Sequence, residues 1–308
     1  MDSPNRLRSA AILAAFTIVS AASGRIAIAG EPDCDYIVSA VRTVYFGIET
    51  PLPNPDHPVA VSTGHTDLNV PYQACSWSVE VSPSSGQISL EDALIYGGPP
   101  ARYSLPSIPA GFEFIGAVPN QTFWILPQSQ TAGVIFLGMS SESMSFDDRD
   151  RICLWNPQDP RGGANVPGKW IRMEIVAVRG PVGGQFSVWQ TSGPGQVSAF
   201  VSTFDGGITE EDAIHLAAGS HAHMNWGFTA AGLYEVDFRL STFVIPIKGD
   251  VACDCVVDLL DMTAFVEALL TPHGLSGGDS DCNLENADVN ADGSIDGADI
   301  QAFVDLLI

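Results

Sequence analysis

Oxygen-bearing side chains are concentrated in a twelve-residue segment near the end of the chain, residues 288–299. They stand at positions 1, 3, 5, 9 and 12 of the segment, and a glycine stands at position 6, where a calcium-binding loop turns sharply. Ca²⁺ takes roughly six to eight oxygen ligands, one of them the backbone carbonyl at position 7. The alternative is an aspartate-rich helix cap that faces solvent. The spacing predicts a Ca²⁺ site formed by Asp288, Asn290, Asp292, Ser294, Asp296 and Asp299.

A degraded copy of this loop precedes it at residues 250–261. Ala252 removes the ligand at position 3, and Cys255 replaces the glycine whose positive φ the turn favours. Whether Ca²⁺ occupies this first loop is left open by these two substitutions. The carboxylates that remain are Asp250, Asp254, Asp258 and Asp261.

Each loop is followed by a segment with one apolar helical face. The spacing i, i+3, i+4, i+7 is typical of an amphipathic helix, and we expect the two helices to bury these faces against each other. The apolar positions are Met262, Phe265, Val266 and Leu269 after the first loop, and Ile300, Phe303, Val304 and Leu307 after the second.

Residues 250–308 therefore resemble a type I dockerin. The resemblance rests on two calcium loops with Asp at position 12, each followed by Ala-Phe-Val at residues 264–266 and 302–304. It implies Ca²⁺-dependent folding and docking to a cohesin-like or cell-envelope partner, often in polysaccharide-degrading assemblies. The positions that usually contact the partner depart from the expected Ser-Thr pair, because they read Leu259-Leu260 and Gly297-Ala298.

A second group of metal-binding side chains lies in the larger, N-terminal part of the chain. On a β-strand, His221 and His223 project from the same face, a spacing that suits two imidazoles on one metal ion. His65 offers a third imidazole, with Asp67 on the same face of its strand. We expect a site for Zn²⁺ or another transition metal at His65, His221 and His223, whereas His57, His215 and His273 have no comparable neighbours. The alternative is that these histidines only form hydrogen bonds in or beside a core.

The same part of the chain resembles the choice-of-anchor M domain, a domain of actinobacterial surface-anchored proteins. The resemblance implies surface display through an anchor that varies among members of the family. In this chain the dockerin-like segment would be that anchor. It is carried, in matching order, by Gly64-His65-Thr66-Asp67, residues 123–130, residues 133–138, His221 to Thr229, and Gly232-Leu233-Tyr234.

The composition indicates which elements position these groups. The chain has 308 residues, a net charge of -23 and 45% hydrophobic residues, which excludes a disordered chain and a nucleic-acid-binding protein. Short alternating segments such as Glu235 to Leu240, separated by Gly and Pro turns, predict an antiparallel β-sandwich at residues 31–248. A short helix is expected at Thr209 to Ile214. The fold class is thus mainly β, followed by a small all-α calcium domain at residues 249–308.

The N-terminal residues 1–29 have the features of a signal peptide. Arg6 and Arg8 precede an apolar run, and Ala27-Ile28-Ala29 fits a cleavage site. We therefore expect a secreted or cell-surface protein, or a periplasmic one, with no membrane span after cleavage. The alternative is an uncleaved N-terminal anchor.

All six cysteines follow this segment, and an oxidising compartment allows three disulfides among 15 connectivities. Pairs within one proposed domain are favoured: Cys34 with Cys75, and Cys282 with Cys253 or Cys255. This would leave Cys153 and one C-terminal cysteine, either free or paired with each other.

Sequence-local catalytic motifs are absent, since the chain has no nucleophile elbow, zinc-protease helix, P-loop or dinucleotide motif. A non-catalytic binding or assembly role is therefore favoured, and no catalytic residue is assigned. The alternative is a polysaccharide-acting hydrolase or a carbohydrate-binding protein, because a glycosidase needs only two carboxylates that need not be close in sequence. The candidate carboxylates for such chemistry are Glu80, Glu113, Glu174 and Glu235, and solvated strand faces are the alternative explanation for them.

Overall fold

The computed structural model describes residues 37–161, 163–193, 195–270 and 284–308. The described residues are mainly β, with three short α-helices. The predicted signal peptide lies outside the described residues, as do Cys34, His273 and Cys282. The first nine strands are β1 Ile37–Ile48, β2 Val59–Val61, β3 Gly64–Asn69, β4 Tyr72–Gln73, β5 Ser76–Trp77, β6 Glu80–Pro83, β7 Ile88–Ser89, β8 Ala93–Gly97 and β9 Arg102–Tyr103.

The remaining strands extend the β-region, by which we mean residues 37–248. They are β10 Phe123–Leu126, β11 Ile135–Ser140, β12 Trp170–Arg179, β13 Phe186–Gly193, β14 Gln196–Ser202, β15 Ala213–Ala217, β16 His221–His223, β17 Asn225–Phe228 and β18 Gly232–Phe243. The helices are α1 Phe146–Arg151 in the β-region, and α2 Asp261–Leu270 and α3 Asp299–Leu307 in the C-terminal region, residues 249–308.

The strands form three large sheets and one small hairpin sheet. Their orders are β15-β12-β18-β1-β8-β2, β14-β13-β17-β10-β9, β16-β11-β3-β6-β7 and β4-β5. Most ladders are antiparallel, as expected, but β8 pairs in parallel with β1 and β2, and β3 pairs in parallel with β11. The expectation of a purely antiparallel arrangement is therefore wrong, and a sandwich packing of the sheets stays a prediction.

Alternating side chains account for the core of the β-region. On β18, Tyr234, Val236, Phe238 and Leu240 are at most 1% exposed, and the residues between them face outward. This confirms the alternation predicted for residues 235–240. The expected helix at residues 209–214 is wrong: Asp212 accepts the Thr209 backbone N–H within a turn, and Ala213 and Ile214 begin β15, where both are buried.

The C-terminal region has its own small cluster of buried residues. The rings of Phe265 on α2 and Phe303 on α3 stack with centroids 4.0 Å apart. The expectation that the whole apolar face of each helix is buried is wrong, because Met262 and Val266 are 48% and 46% exposed and Ile300 and Val304 are 47% and 40% exposed. With one aromatic from each helix filling this small core, these flanking residues lie beyond it.

A disulfide links the two regions. Cys75, beside the β4–β5 hairpin, is bonded to Cys255 in the first loop. The expected pairs Cys34–Cys75 and Cys255–Cys282 are therefore wrong, because the fold brings the hairpin against the loop across 180 residues. Cys153 and Cys253 are also disulfide-bonded, which contradicts the alternative of free thiols at these positions. Among the described residues, no helix is long and apolar enough to cross a membrane.

Candidate metal sites

Three neighbouring strands bring the predicted histidines onto one face of a sheet. The register pairs Gly138 on β11 with His223 on β16 and with Asp67 on β3. His65 lies one row away, opposite Phe136 of β11. Paired residues of neighbouring strands project from the same face. The sheet therefore places side chains that are 158 residues apart in sequence within contact distance.

The three imidazoles form a compact group. One ligand atom from each of His65, His221 and His223 lies within 4.8 Å of the other two. The Nε2 atoms of His65 and His223 are 3.1 Å apart, and His65 Nε2 is 3.8 Å from Asp67 Oδ2. His221 Nδ1 is 3.1 Å from a carboxylate oxygen of Glu142. The structure thus brings the predicted residues together and adds Glu142, which sequence reasoning missed because it lies on a turn after β11.

The His223 side chain is half-buried, whereas those of His65 and His221 are exposed, and polar atoms at the buried side of the group lack partners. Phe136 stacks on the His223 ring with centroids 3.5 Å apart. Burial lowers the pKa of His223, an effect that the Asp67 carboxylate partly opposes. Among the described residues, His223 Nδ1 and Asp67 Oδ1 are buried without a hydrogen-bond partner. A neutral imidazole beside a carboxylate is the form that binds a cation.

Gly138 makes the close approach of these groups possible. A Cβ atom at this position would lie 2.3 Å from Asp67 Oδ1 and 2.8 Å from His223 Cε1. The Cβ atom of any other residue at this position would therefore displace the Asp67 carboxylate and the His223 imidazole.

The two aspartate loops of the C-terminal region have the same internal hydrogen bonds. In the second loop, Asp288 accepts the backbone N–H groups of Asp292 and Gly293, and Asp299 accepts those of Asn290 and Asp296. All four donor–acceptor distances lie between 3.0 and 3.1 Å. The carboxylates at positions 1 and 12 thereby shape the loop around the place where a cation would bind.

The first loop repeats this arrangement despite its two substitutions. Asp250 accepts the N–H groups of Asp254 and Cys255, and Asp261 accepts those of Ala252 and Asp258. Cys255 has a φ of 68°, so it adopts the left-handed conformation that Gly293 adopts with a φ of 85°. The loss of glycine therefore does not abolish the turn, although Ala252 still removes one oxygen ligand.

Two of the four carboxylates of the first loop, those at positions 1 and 12, are buried. Asp250 is 1% exposed and Asp261 is 0% exposed. Burial, together with the neighbouring carboxylates of Asp261 and Asp254, raises the pKa of Asp250 above its usual range, despite two backbone hydrogen bonds that oppose the shift. Buried like charges are unfavourable without a compensating cation, and these oxygens suit a hard one.

The geometry of the paired loops agrees with the comparison with known families. Residues 248–305 match the dockerin type I domain. Dockerin type I domains bind Ca²⁺ and cohesin partners and occur in secreted or cell-surface proteins, so the match suggests a docking or assembly module at residues 248–305. Neither the search of curated proteins nor the search of solved structures finds a match. The resemblance of the β-region to choice-of-anchor M is not supported by these comparisons and stays a prediction.

One buried histidine with a carboxylate partner was missed by sequence reasoning. His215, which was expected to have no notable neighbours, lies with its Nδ1 3.4 Å from Asp159 Oδ2 beside a cavity of about 180 Å³. Burial lowers the pKa of His215 to about 4, although the Asp159 carboxylate opposes this shift. Arg161 binds Asp159 through two hydrogen bonds and holds the pKa of that carboxyl low against the effect of burial. Near neutral pH the His215 imidazole is therefore neutral, and the Asp159 carboxylate is charged.

The carboxylates considered for glycosidase chemistry each have a separate structural partner. Glu80 accepts hydrogen bonds from Gln87 and neighbouring side chains, and Glu113 accepts the N–H of Gly111. The other two form ion pairs, Glu174 with Arg172 and Arg239, and Glu235 with Arg179. The buried aromatic side chains include Trp77, Phe123, Trp124, Trp189 and Trp226, each at most 7% exposed, and these are therefore core residues.

Proposed function

We propose that this protein is a secreted or cell-surface assembly protein whose dockerin domain docks, in a Ca²⁺-dependent manner, to a cohesin-like partner. The match of residues 248–305 to the dockerin type I domain is the observation that carries this proposal. The β-region is the cargo that docking delivers, and its role is binding rather than catalysis. The signal-peptide features of residues 1–29 and the occurrence of dockerins in secreted or surface proteins support the location.

In this proposal both loops bind Ca²⁺, but the second binds it more tightly. The second loop supplies side-chain oxygens from Asp288, Asn290, Asp292, Asp296 and Asp299, with the Ser294 carbonyl at position 7. The first loop has the same hydrogen-bonded shape and four carboxylates, and it lacks the ligand at position 3. Fewer ligands lower the affinity of a calcium loop.

The partner would contact the exposed apolar surface at the start of α2. Leu259 and Leu260 are each 69% exposed, and Met262 and Val266 continue this surface along the helix. At the equivalent positions of the second copy, Gly297 and Ala298 offer almost no side chain. An exposed apolar patch of this kind is typical of a protein-binding surface, so we propose that docking uses the first copy rather than the second.

Calcium titration tests the loop assignments. Calorimetry on the purified full chain should show two binding events of unequal affinity. Asp288→Ala should remove the tighter event and Asp250→Ala the weaker one, whereas Asp305→Asn, which changes an exposed carboxylate on α3, should leave both. A full chain that binds no Ca²⁺, or an Asp288→Ala variant that retains both events, would contradict the assignment.

Docking is tested separately with a panel of cohesin domains on a biosensor, in Ca²⁺ and in a chelator. We expect binding in Ca²⁺ only, and a loss of roughly tenfold or more when Leu259 and Leu260 are both changed to Asp, because central interface residues carry most of the affinity. Val182→Asp alters a fully exposed apolar residue in the β-region and should have no effect. Failure of every cohesin to bind in Ca²⁺ would count against the docking function.

A second function is favoured by the histidine group. We propose that the β-region binds Zn²⁺ or a similar transition metal through His65, His221 and His223, whose ligand atoms lie within 4.8 Å of one another. Elemental analysis after dialysis should find a transition metal in the native protein and none in a His221→Ala/His223→Ala variant. His57→Gln is the matched control, because His57 stacks on Tyr45 elsewhere in the fold.

The carbohydrate alternative has less support. The four glutamates considered for catalysis have separate partners, and most large aromatic residues of the strands are buried, although Tyr103 on β9 is 39% exposed. A polysaccharide would therefore be reached through the partner assembly rather than by the β-region itself.

A further inference from the structure

The side chain of Asp67 lies beside the three histidines with no adequate partner. Its Oδ1 atom is buried and accepts no hydrogen bond from the described residues. Among those residues, the nearest basic side chain to its carboxylate is His65, whose Nε2 lies 3.8 Å from Oδ2. The side chain is only 14% exposed, so water compensates the charge poorly. A buried carboxylate is unfavourable unless a cation or several donors balance it.

We propose that Asp67 is the fourth ligand of the histidine site, so that the protein itself fills the coordination sphere of a Zn²⁺-like ion. This inference rests on the proposed metal site at His65, His221 and His223. It deepens that proposal by distinguishing a closed site, which holds a metal ion, from an open one, which activates water.

The separations between ligand atoms agree with a four-coordinate ion. Two ligand atoms bound at about 2.0–2.1 Å to a tetrahedral zinc ion are about 3.3 Å apart. The Nε2 atoms of His65 and His223 are 3.1 Å apart, and Asp67 Oδ2 is 3.8 Å from His65 Nε2. The His65–His223 pair is already close to this spacing, and His65 Nε2 and Asp67 Oδ2 would have to approach each other by about 0.5 Å to reach it.

Glu142 and Gly138 support this arrangement. The Glu142 carboxylate lies 3.1 Å from His221 Nδ1, which leaves Nε2 of that ring to face the metal. A carboxylate behind a ligating histidine fixes the tautomer in this way. Gly138 leaves open the space into which Asp67 and His223 both project. One carboxylate ligand also reduces the charge of a divalent ion with three neutral imidazoles from two to one.

Cobalt substitution on the full chain tests the inference. Native protein loaded with Co²⁺ should show the intense visible bands of four-coordinate cobalt. Asp67→Asn should weaken Zn²⁺ binding by roughly 100-fold or more, beyond the 10–100-fold typical of an outer-shell partner, and should change the cobalt spectrum. Glu80→Gln is the matched control, because Glu80 is a carboxylate on the same sheet that lies on β6, away from the histidines.

A second variant gives a positive signal. In Asp67→Cys, the introduced thiolate should produce a sulfur-to-cobalt charge-transfer band, which arises only if residue 67 reaches the ion. An Asp67→Asn spectrum identical to native, with no charge-transfer band in Asp67→Cys, would overturn the fourth-ligand role while leaving the histidine site intact. Native protein that binds neither Zn²⁺ nor Co²⁺ would overturn the histidine site itself.

Discussion

Replacing both Cys75 and Cys255 removes the disulfide that ties the β4–β5 hairpin to the first calcium loop. A cross-link over 180 residues restricts the unfolded chain, and the chain-entropy relation gives a stabilisation of about 5 kcal/mol. Because Cys153 and Cys253 are also disulfide-bonded, the unfolded chain is already constrained. We therefore expect a Cys75→Ser/Cys255→Ser variant to lose about 2–4 kcal/mol of unfolding free energy.

A matched double variant separates the cross-link from the backbone. Cys255 has a φ of 68°, where glycine is favoured over other residues by about 1 kcal/mol. Cys75→Ser/Cys255→Gly should therefore be about 1 kcal/mol more stable than the double serine variant, although both lack the disulfide. Neither variant leaves an unpaired thiol at these two positions.

Urea unfolding in saturating Ca²⁺ measures both differences. The C-terminal region contains no tryptophan, so tryptophan fluorescence follows the β-region while helical circular dichroism reports on α2 and α3 as well. Equal unfolding free energies for the native protein and the double serine variant would refute the stabilising role of the disulfide. Equal values for the serine and glycine variants would refute the backbone part of the reasoning.

Three further predictions concern single residues. His215 has a pKa of about 4 in the folded protein, whereas it takes up a proton near pH 6.5 in the unfolded chain. The native protein should therefore lose up to about 3 kcal/mol of unfolding free energy as the pH falls from 6.5 to 4. Urea unfolding of a His215→Gln variant should show a shallower pH dependence. Gly138→Ala should abolish Zn²⁺ binding in calorimetry, because its Cβ would clash with Asp67 and His223, whereas Gly297→Ala, with no atom within 4 Å of its added Cβ, should not. Phe303→Ala should cost the C-terminal region about 3–5 kcal/mol and largely remove its helical circular dichroism, whereas truncation of Phe146, which is 80% exposed, should cost little.

The features predicted from the sequence are those that depend on short spacing. The predicted calcium ligands from Asp288 to Asp299 follow one another within a single twelve-residue loop. The match of this region to the dockerin type I domain supports the interpretation of this segment as a calcium loop. The alternation on β18 confirms the local strand pattern. The histidine group could be proposed because two of its members, His221 and His223, share one strand face.

Features that depend on long-range pairing could not be predicted. Nothing in the sequence places β3 in parallel with β11, although this pairing brings His65 and Asp67 to Gly138. The Cys75–Cys255 bond joins two regions that the sequence predicts to be different domains, and disulfides within one domain were expected. The contact of the His215 imidazole with the Asp159 carboxylate likewise depends on where a loop crosses a strand. Burial of the α2 and α3 faces was overestimated because periodicity gives the direction of a side chain but not the size of the core it meets.

The ladder between β1 and β18 also determines when, during synthesis, the β-region can complete its fold. The ladder runs without interruption from the Ile37–Phe243 pair to the Ile48–Gly232 pair. β1, the first described strand, can therefore pair with β18 only after the last described strand has been synthesised. Until residue 243 has been synthesised, the long edge of β1 lacks its antiparallel partner, and such an edge readily joins other chains. Closing so large a loop also makes folding slow. Partly synthesised chains that lack β18 are therefore the species most prone to associate with one another, and the dockerin domain is synthesised only after β18.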